Sequence, residues 1–318
     1  HVAWDGFAHH DTIFPLFLFI AGVSFPYSVA KQRAGGMSEG RIYAKIVRRG
    51  LTLVVLGMVY NGLFKLDFEN LRIASVLGRI GLAWSIAAVL YLNFGVKTRA
   101  AIAVAVLAGY GALSALVAAP DAAGAGPLTF EGNLAGYIDR QFLPGKLIYG
   151  SFDPEGLLST VPAVVTAMLG MFTGEFVRRS DIRGGRKTLW MAAAAAALLA
   201  AGLAFSGVLP VNKKLWSSTF VCVVGAYSLG MFALFYYLID VRGWRRWTLF
   251  FRVVGLNSIT IYLAQRIVGF GRISDFFLGG IASKCPEAVA AVISSAGYVA
   301  VCWLFLYFLY RKNVFLKV

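Results

Sequence analysis

The sequence predicts an all-α protein that crosses a membrane many times. Of its 318 residues, 59% are hydrophobic and only 14% are charged, and the mean hydropathy is +0.72. A soluble domain of this length needs far more polar surface, so lipid must cover most of the exterior. The apolar runs are long enough to cross a hydrocarbon core of about 30 Å as helices, and they lack the alternation of barrel strands. We therefore expect a polytopic transmembrane helix bundle.

Nine apolar segments have the length of a membrane-spanning helix. They lie near residues 12–30, 49–64, 74–94, 100–119, 156–177, 188–208, 216–239, 249–268 and 289–310. We expect a single transmembrane domain over residues 1–318, with a loop insertion at 120–155. Loops of this length in compact domains are usually functional or disordered. The aromatic side chains of this insertion favour an ordered one.

The net charge of +15 lies mainly on one side of the predicted bundle, which argues against nucleic acid as a partner. The loops on one side hold 19 Lys and Arg residues, and those on the other side hold 10. The positive-inside rule places the richer side in the cytoplasm. We therefore expect Val318 in the cytoplasm, with His1 and the insertion outside, in the periplasm if the membrane is a bacterial inner membrane. The lipid bilayer is the expected partner, and a homodimer is left open.

All three histidines fall within ten residues at the expected external end of the first span: His1, His9 and His10. Histidine can take and give a proton near neutral pH, and a neighbouring carboxylate such as that of Asp11 would orient it. The alternative for Asp11 is a helix N-cap, because an apolar run starts directly after it. The alternatives for the histidines are a solvated loop and, for His1, a chain terminus without a role.

The first span also carries a motif, H-x-x-W-D-G-x-x-x-x-D-x-x-F-P-x-F-x-F-I-x-G, which runs from His1 to Gly22. Together with four later stretches, this motif resembles the heparan-α-glucosaminide N-acetyltransferase family and its bacterial membrane acyltransferase relatives. The resemblance implies at least ten helices, because family members begin with a further transmembrane helix, which we expect to precede His1. The four stretches are Val76–Ile80, Asp153–Gly156, Pro210–Ser217 and Gly255–Ile259.

The resemblance implies acetyl transfer from acetyl-CoA to a glucosamine-like amino sugar outside the membrane. His1 then takes the position of the catalytic histidine, three residues before Trp4, as a general base or as a carrier of the acetyl group. Asp11 would assist it, and Asn257 would supply an amide to the oxyanion. The alternative for Asn257 is a hydrogen bond between helices.

The donor is expected to meet basic and amide side chains. We assign Arg79, Asn212 and Lys213 to acetyl-CoA, because guanidinium and ammonium groups bind phosphate. Arg79 stands near the external end of a span, so pairing with a carboxylate or reaching to the interface are its alternatives. A solvated turn is the alternative for Asn212 and Lys213.

Four further residues are expected to bind the sugar: Trp4, Asp5, Asp153 and Glu155. Carboxylates recognise hydroxyl groups and ammonium groups. The two carboxylates that flank Pro154 stand just before a span, so capping of that helix is their alternative. Asp5 stands where the human-type enzyme has Asn, which leaves the identity of the sugar open.

The three cysteines, Cys222, Cys285 and Cys302, lack the spacing of a metal site. A buried free cysteine commonly behaves as a small apolar side chain. We therefore expect no metal, and the resemblance implies acetyl-CoA as the co-substrate.

Two other classes of function remain as alternatives. A transporter of an amino sugar or a cell-wall fragment should carry charges deep within several spans, whereas most charges here lie at span ends. A structural membrane protein should lack the external cluster of His, Asp, Asn and Arg residues.

The orientation can be tested with reporter fusions. We expect alkaline phosphatase fused after Gly126 to be active and a fluorescent protein fused after Val318 to fold, because the basic loops retain the second position in the cytoplasm. The reciprocal fusions serve as controls. Active phosphatase at the C-terminus would reverse the orientation.

Overall fold

The all-α fold is confirmed. The computed structural model describes residues 3–316, and within them the backbone forms helices, two isolated β-bridges and no strand. The contacts divide the chain into two compact units, His1–Arg242 and Gly243–Val318.

The first unit is built from seven long helices and one short one. Three pairs of long helices are joined by short turns, which makes the members of each pair antiparallel. Four long helices begin at one end of this unit, which we call the site end, and three begin at the opposite, basic end. The four are α1 (Ile13–Ala34), α3 (Val76–Asn93), α6 (Leu157–Arg178) and α8 (Ser218–Tyr236), and the three are α2 (Glu39–Tyr60), α4 (Val96–Leu116) and α7 (Gly184–Ala204), while the short helix is α5 (Leu134–Phe142).

Helix α6 lies at the centre of this unit and packs closely against α1. The close approach depends on glycines, because a Cβ on Gly170 would lie 2.0 Å from the carbonyl oxygen of Phe19. A Cβ on Gly22 of α1 would lie 2.2 Å from the carbonyl oxygen of Ala167. Small residues at such contacts let two helix backbones gain van der Waals packing without a hydrophobic driving force. The two helices run in the same direction and place their first residues side by side at the site end.

The predicted count of nine membrane spans is not confirmed. Among the described residues, seven helices are long and apolar enough to cross a membrane, or eight if the pair Arg246–Leu256 and Ser258–Ala264, bent by 58°, is one span. Helix α2 accounts for much of the difference. It begins at Glu39 rather than near residue 49, and its first half carries five charged residues, so it is less apolar than the predicted segment suggested.

The insertion at 120–155 is ordered and contains α5. Arg140 of α5 donates from Nε and Nη2 to the carboxylate of Asp121, at 2.9 and 2.6 Å. Phe130, Tyr149 and Phe152 pack their rings together, with centroids 5.7 to 6.4 Å apart. The insertion therefore forms a structured cover over the site end.

The second unit contains α9 (Leu249–Leu256), α10 (Ser258–Ala264), α11 (Phe270–Ala282) and α12 (Glu287–Arg311). Within this unit α12 packs against α9 and α11. Asn257 lies at the break between α9 and α10, where its side chain is buried.

The contact of α1 with α6 makes a prediction about stability. Gly170→Ala should lower the melting temperature of the purified protein, because overpacking a tight contact typically costs about 1–3 kcal/mol. The matched control is Gly109→Ala in α4, where nothing lies within 4 Å of an added Cβ. The measurement is thermal denaturation of both variants in detergent. Equal melting temperatures for the two variants would contradict this packing.

Candidate active site

Asn212 joins the first motif to the turn that precedes α8. Its buried side chain donates from Nδ2 to Oδ1 of Asp5, at 3.0 Å, and accepts at Oδ1 from the backbone N–H of Leu215, at 2.9 Å. The backbone of Gly6 donates to the carbonyl of Val211, at 2.9 Å. The structure thus brings together two segments that are about 200 residues apart in the chain. Because both ends of its amide are engaged, Asn212 acts on the site by positioning Asp5.

Asp11 lies in a single turn of 3₁₀ helix, His9–Thr12, before α1. Its buried carboxylate accepts at Oδ2 from the backbone N–H of Ala8, at 3.0 Å, and at Oδ1 from Nζ of Lys213, at 3.2 Å. The bond to Ala8 means that this carboxylate caps the short turn, and the residue at the N-cap of α1 itself is Thr12. Asp11 and Lys213 form an ion pair at the site end.

Trp4 packs into the aromatic cluster of the insertion. Its Nε1 donates to the carbonyl of Leu128, at 2.8 Å, and its ring meets that of Phe130 edge-on at 5.2 Å. The ammonium of Lys214 lies 4.5 Å from the ring centre of Tyr149 and 5.8 Å from that of Trp4, within the range of cation–π attraction. Nothing in the sequence distinguishes Lys214 from Lys213, since only the fold brings the aromatic rings around Lys214.

Arg72 holds the two acidic residues that flank Pro154. Its guanidinium donates from Nε and Nη2 to the carboxylate of Asp153, at 2.7 Å each, and from Nη2 to Glu155. Asp153 is fully buried and also accepts from the backbone N–H groups of Ile148 and Glu155. Asp153 therefore holds the shape of the loop, whereas Glu155 also lines a cavity at the site end. Sequence reasoning missed Arg72, and its signal was a cation close before a span on the side poor in basic residues.

Asp139 of α5 takes the place of a cap on α6. Its Oδ1 accepts from the backbone N–H of Leu157, at 2.8 Å, while Oδ2 has no hydrogen-bond partner among the described residues. Gly156 makes this approach possible, because a Cβ there would lie 1.9 Å from Oδ2. Burial raises the pKa of Asp139 to about 6, although the backbone hydrogen bond from Leu157 opposes this.

Arg79 is fully enclosed at the start of α3. Nε donates to Oγ1 of Thr160 at 3.3 Å, and Nη2 donates to the hydroxyl of Ser159. The guanidinium lies 5.0 Å from the ring centre of Trp216. Its hydrogen-bond partners are thus two hydroxyl groups and the carbonyl of Gly156, at 3.4 Å, rather than the predicted alternative of a carboxylate. With 2% exposure Arg79 does not reach the interface. Nη1 has no partner among the described residues.

Trp216 contacts both Arg79 and the start of α1. Its ring meets Phe14 at 4.9 Å and its Nε1 donates to Thr166 at 3.3 Å. Its φ is +52°, a conformation that is uncommon for a residue other than glycine. A bulky residue held there indicates that the surrounding contacts over-determine its place.

These elements enclose a cavity of about 160 Å³ at the site end, which we call the charged cavity. It presents two carboxylates and two ammonium groups to the same space. Its lining comprises Trp4, Gly6, Asp11, Ile148, Tyr149, Pro154, Glu155, Lys213, Lys214 and Trp216.

The structure thus unites four of the predicted residues, Trp4, Asp11, Glu155 and Lys213, on the charged cavity. Asp5, Asn212 and Asp153 support its walls. Arg79 lies behind Trp216. Asn257 lies in the second unit, where Oδ1 accepts from Thr260 at 3.2 Å and Nδ2 has no partner among the described residues.

His1 lies outside the described residues. His9 is exposed and its Nε2 lies 3.2 Å from the hydroxyl of Tyr227 on α8, and His10 is exposed too. Within residues 3–316 no three His, Cys, Asp or Glu side chains are grouped to hold a metal ion. The cysteines in this part of the chain are free thiols.

The fold and this cavity define a polytopic helical membrane protein with a charged site at one end of its bundle. Aligned over 375 positions, the whole chain is 27% identical to the heparan-alpha-glucosaminide N-acetyltransferase of Homo sapiens, and it is 26% identical to the Mus musculus protein of that name over 372 positions. The chain spans 55% and 56% of these relatives, about half of their length. No family model matches the chain. These two relatives confirm the resemblance that the motifs carry.

The buried carboxyl of Asp139 makes a prediction about pH. Its pKa rises from 3.8 to about 6 on folding, so the fold favours the protonated form and loses this contribution as pH rises from about 4 to about 6. Asp139→Asn keeps an acceptor for Leu157 without the charge. We expect its melting temperature to rise relative to wild type between pH 4 and pH 7.

The exposed Asp121 provides the control, because its pKa is lowered by the hydrogen bond from Arg140. Asp121→Asn should show no such rise over the same range. If the difference in melting temperature between Asp139→Asn and wild type also stays constant over this pH range, the pKa of Asp139 is not raised.

Proposed function

We propose that this chain is the membrane-embedded part of an N-acetyltransferase that moves an acetyl group from acetyl-CoA to the amine of a glucosamine-like sugar. The observation that carries the proposal is the charged cavity, where Asp11, Glu155 and Lys213 come from three separate stretches of the resemblance. The names of the relatives support the reaction and the acceptor.

The reaction sets clear demands on such a cavity. The amine nitrogen forms a bond to the thioester carbonyl carbon, the carbon–sulfur bond breaks, and coenzyme A leaves as a thiolate that takes up a proton. The attacking amine must first lose the proton of its ammonium form, and the carbonyl oxygen carries negative charge at the tetrahedral stage. A cavity that combines carboxylates with ammonium groups can serve both demands.

The carboxylates suit the acceptor. Glu155 projects into the charged cavity from the loop that Arg72 and Asp153 hold, so it can bind the ammonium of the sugar or its hydroxyl groups. Trp4 supplies an aromatic wall beside it. In this proposal Asp153 and Asp5 act on the sugar indirectly, because their hydrogen bonds fix the loop and the motif turn.

The cations suit the donor and the oxyanion. Lys213 lines the cavity and can stabilise the carbonyl oxygen or a phosphate, with Asp11 setting its position. Arg79 keeps the two N–H groups of Nη1 for an anionic group of the donor. Asn212 contributes through Asp5, and we retain Asn257 as a proposed oxyanion donor.

We place the protein in a bacterial inner membrane with the site end in the periplasm and the basic end in the cytoplasm. The distribution of Lys and Arg supports this orientation. In this proposal acetyl-CoA is the soluble co-substrate and neither a metal nor nucleic acid takes part, while a homodimer is left open.

His1 provides the test of the mechanism. We expect His1→Ala in the full-length protein to lower turnover by about 10²–10⁴-fold if His1 is a general base, and by more if it carries the acetyl group. Expression, melting temperature and donor binding should stay near wild type. The measurement is transfer of labelled acetyl from acetyl-CoA to glucosamine.

His9→Ala and His10→Ala serve as matched controls and should retain most activity. Loss of turnover in His10→Ala with normal turnover in His1→Ala would move the catalytic role to His10, beside Asp11. Labelled donor without acceptor separates the two mechanisms. Label on wild-type protein that is absent from His1→Ala indicates the covalent route.

A further inference from the structure

A second cavity adjoins the charged cavity and differs from it in chemistry. This crevice has a volume of about 440 Å³ and lies mainly between α3 and α6, with single residues from α2 and α4. Glu155 lines both spaces, so the upper end of the crevice adjoins the proposed reaction site.

The crevice follows one face of each helix down from the site end. On α3 it is lined by Arg79, Leu82, Ile86 and Leu90, which recur at helical spacing. The first and last residues of α3 that line it are Gly78 and Leu90, which are 12 residues apart. At 1.5 Å per residue the crevice therefore extends about 18 Å along α3, which is more than half of a hydrocarbon core of about 30 Å.

Polar side chains are confined to the upper end of the crevice. Ser75, Arg79, Glu155 and Thr160 lie there. Below them the lining is aliphatic, formed by Val54, Leu82, Ile86, Leu90, Val106, Val161 and Val164. The amides of a pantetheine arm would lose their hydrogen bonds to water in this lower part, at a cost of about 1–3 kcal/mol each by mutational data. A hydrocarbon chain needs no such partners.

The crevice is also open to its side. Leu82 and Ile86 of α3 are 43% and 49% exposed, and Leu157 and Val161 of α6 are 42% and 43% exposed. These side chains lie within helices that are long and apolar enough to cross a membrane. Surface exposed on such a helix at the depth of the hydrocarbon core would face lipid. A chain that already lies in the bilayer can enter here without crossing water.

We infer that the crevice holds the hydrocarbon chain of a lipid-linked acceptor, so that the amino sugar acetylated by this protein is carried on a membrane lipid. The inference rests on the proposed function and specifies its acceptor. The sugar would sit in the charged cavity while its chain runs past Glu155 and down the crevice. The lateral opening favours a chain that comes from the bilayer over the acyl chain of a donor that comes from water.

The test uses full-length protein in permeable phosphatidylcholine vesicles, with acetyl-CoA as donor and either glucosamine or dodecyl glucosaminide as acceptor. Ile86→Trp and Val161→Trp fill the crevice from opposite walls. Val104→Trp is the matched control, because Val104 is 68% exposed on α4 and does not line the crevice. Retained turnover of glucosamine reports that each variant is folded.

We expect the wild type to use the alkyl acceptor with a KM at least about tenfold lower than that for glucosamine. A factor of ten corresponds to 1.4 kcal/mol of binding. Both crevice variants should lose this advantage and keep their activity on glucosamine, and the control variant should keep both. An advantage that survives in the crevice variants reflects partition into the bilayer alone and overturns the inference. A parallel assay replaces acetyl-CoA with dodecanoyl-CoA as the donor. If the crevice variants lose activity only with this donor, the crevice holds the acyl chain of the donor, and the inference is overturned.

A binding readout separates this inference from the proposed function. An alkyl glucosaminide with a diazirine at the chain end should label peptides of α3 and α6 in the wild type and not in Ile86→Trp. Labelling without transfer to either acceptor contradicts the proposed function and retains the lipid site. Transfer to glucosamine without labelling of α3 or α6 contradicts the lipid site and retains the function.

Discussion

The ion pair between Arg72 and the buried carboxylate of Asp153 is the constraint on which the site end depends. It joins the segment before α3 to the loop before α6 through two hydrogen bonds of 2.7 Å. Removing one partner of a buried pair typically costs about 3–5 kcal/mol, because the other charge is left without compensation. The backbone agrees with this pairing, since a Cβ on Gly145 would lie 2.1 Å from the carbonyl oxygen of Leu71.

This constraint determines where Glu155 points. With Asp153 saturated by Arg72 and two backbone N–H groups, the next carboxylate along the loop is the one that reaches open space. Asp139 then fixes the first turn of α6 from the other side, and Gly156 leaves room for it. The backbone of Glu155 is therefore placed by the contacts of its neighbours, and its carboxylate also accepts from Arg72, which orients a group that must bind a substrate.

The sequence was sufficient for the class of fold and for several of the residues that line the charged cavity, but not for the residues that hold them in place. Hydropathy predicted the helices because lipid imposes length and apolarity on each of them. It misjudged α2, where charges near the basic end interrupt the apolar run. The motifs named Asp11, Glu155 and Lys213 together, and the fold brings them to one cavity. The periodicity of a sequence carries no information about which residues are paired across the fold. The contacts of Arg72 with Asp153 and of Asp139 with the start of α6 could therefore not be predicted.

The role of Arg79 could not be predicted for the same reason, because the sequence does not show which groups a charged side chain contacts. A charge near the end of a span suggests either an anion site or a pair with a carboxylate, and sequence alone cannot separate these. In the structure the guanidinium is held by hydroxyl groups of α6 and by the ring of Trp216. The hydroxyl groups accept hydrogen bonds from the guanidinium of Arg79, and none of these neutral partners neutralises its charge.

Arg79, Trp216 and Glu155 together form the boundary between two environments. On one side lies a small cavity rich in charge, and on the other a longer crevice whose lower walls are aliphatic. Each environment would disfavour the ligand of the other, because charge is costly among aliphatic side chains and hydrocarbon gains nothing from ammonium and carboxylate groups. A substrate that is polar at one end and apolar at the other satisfies both at once, and it does so only when its polar end lies in the charged cavity.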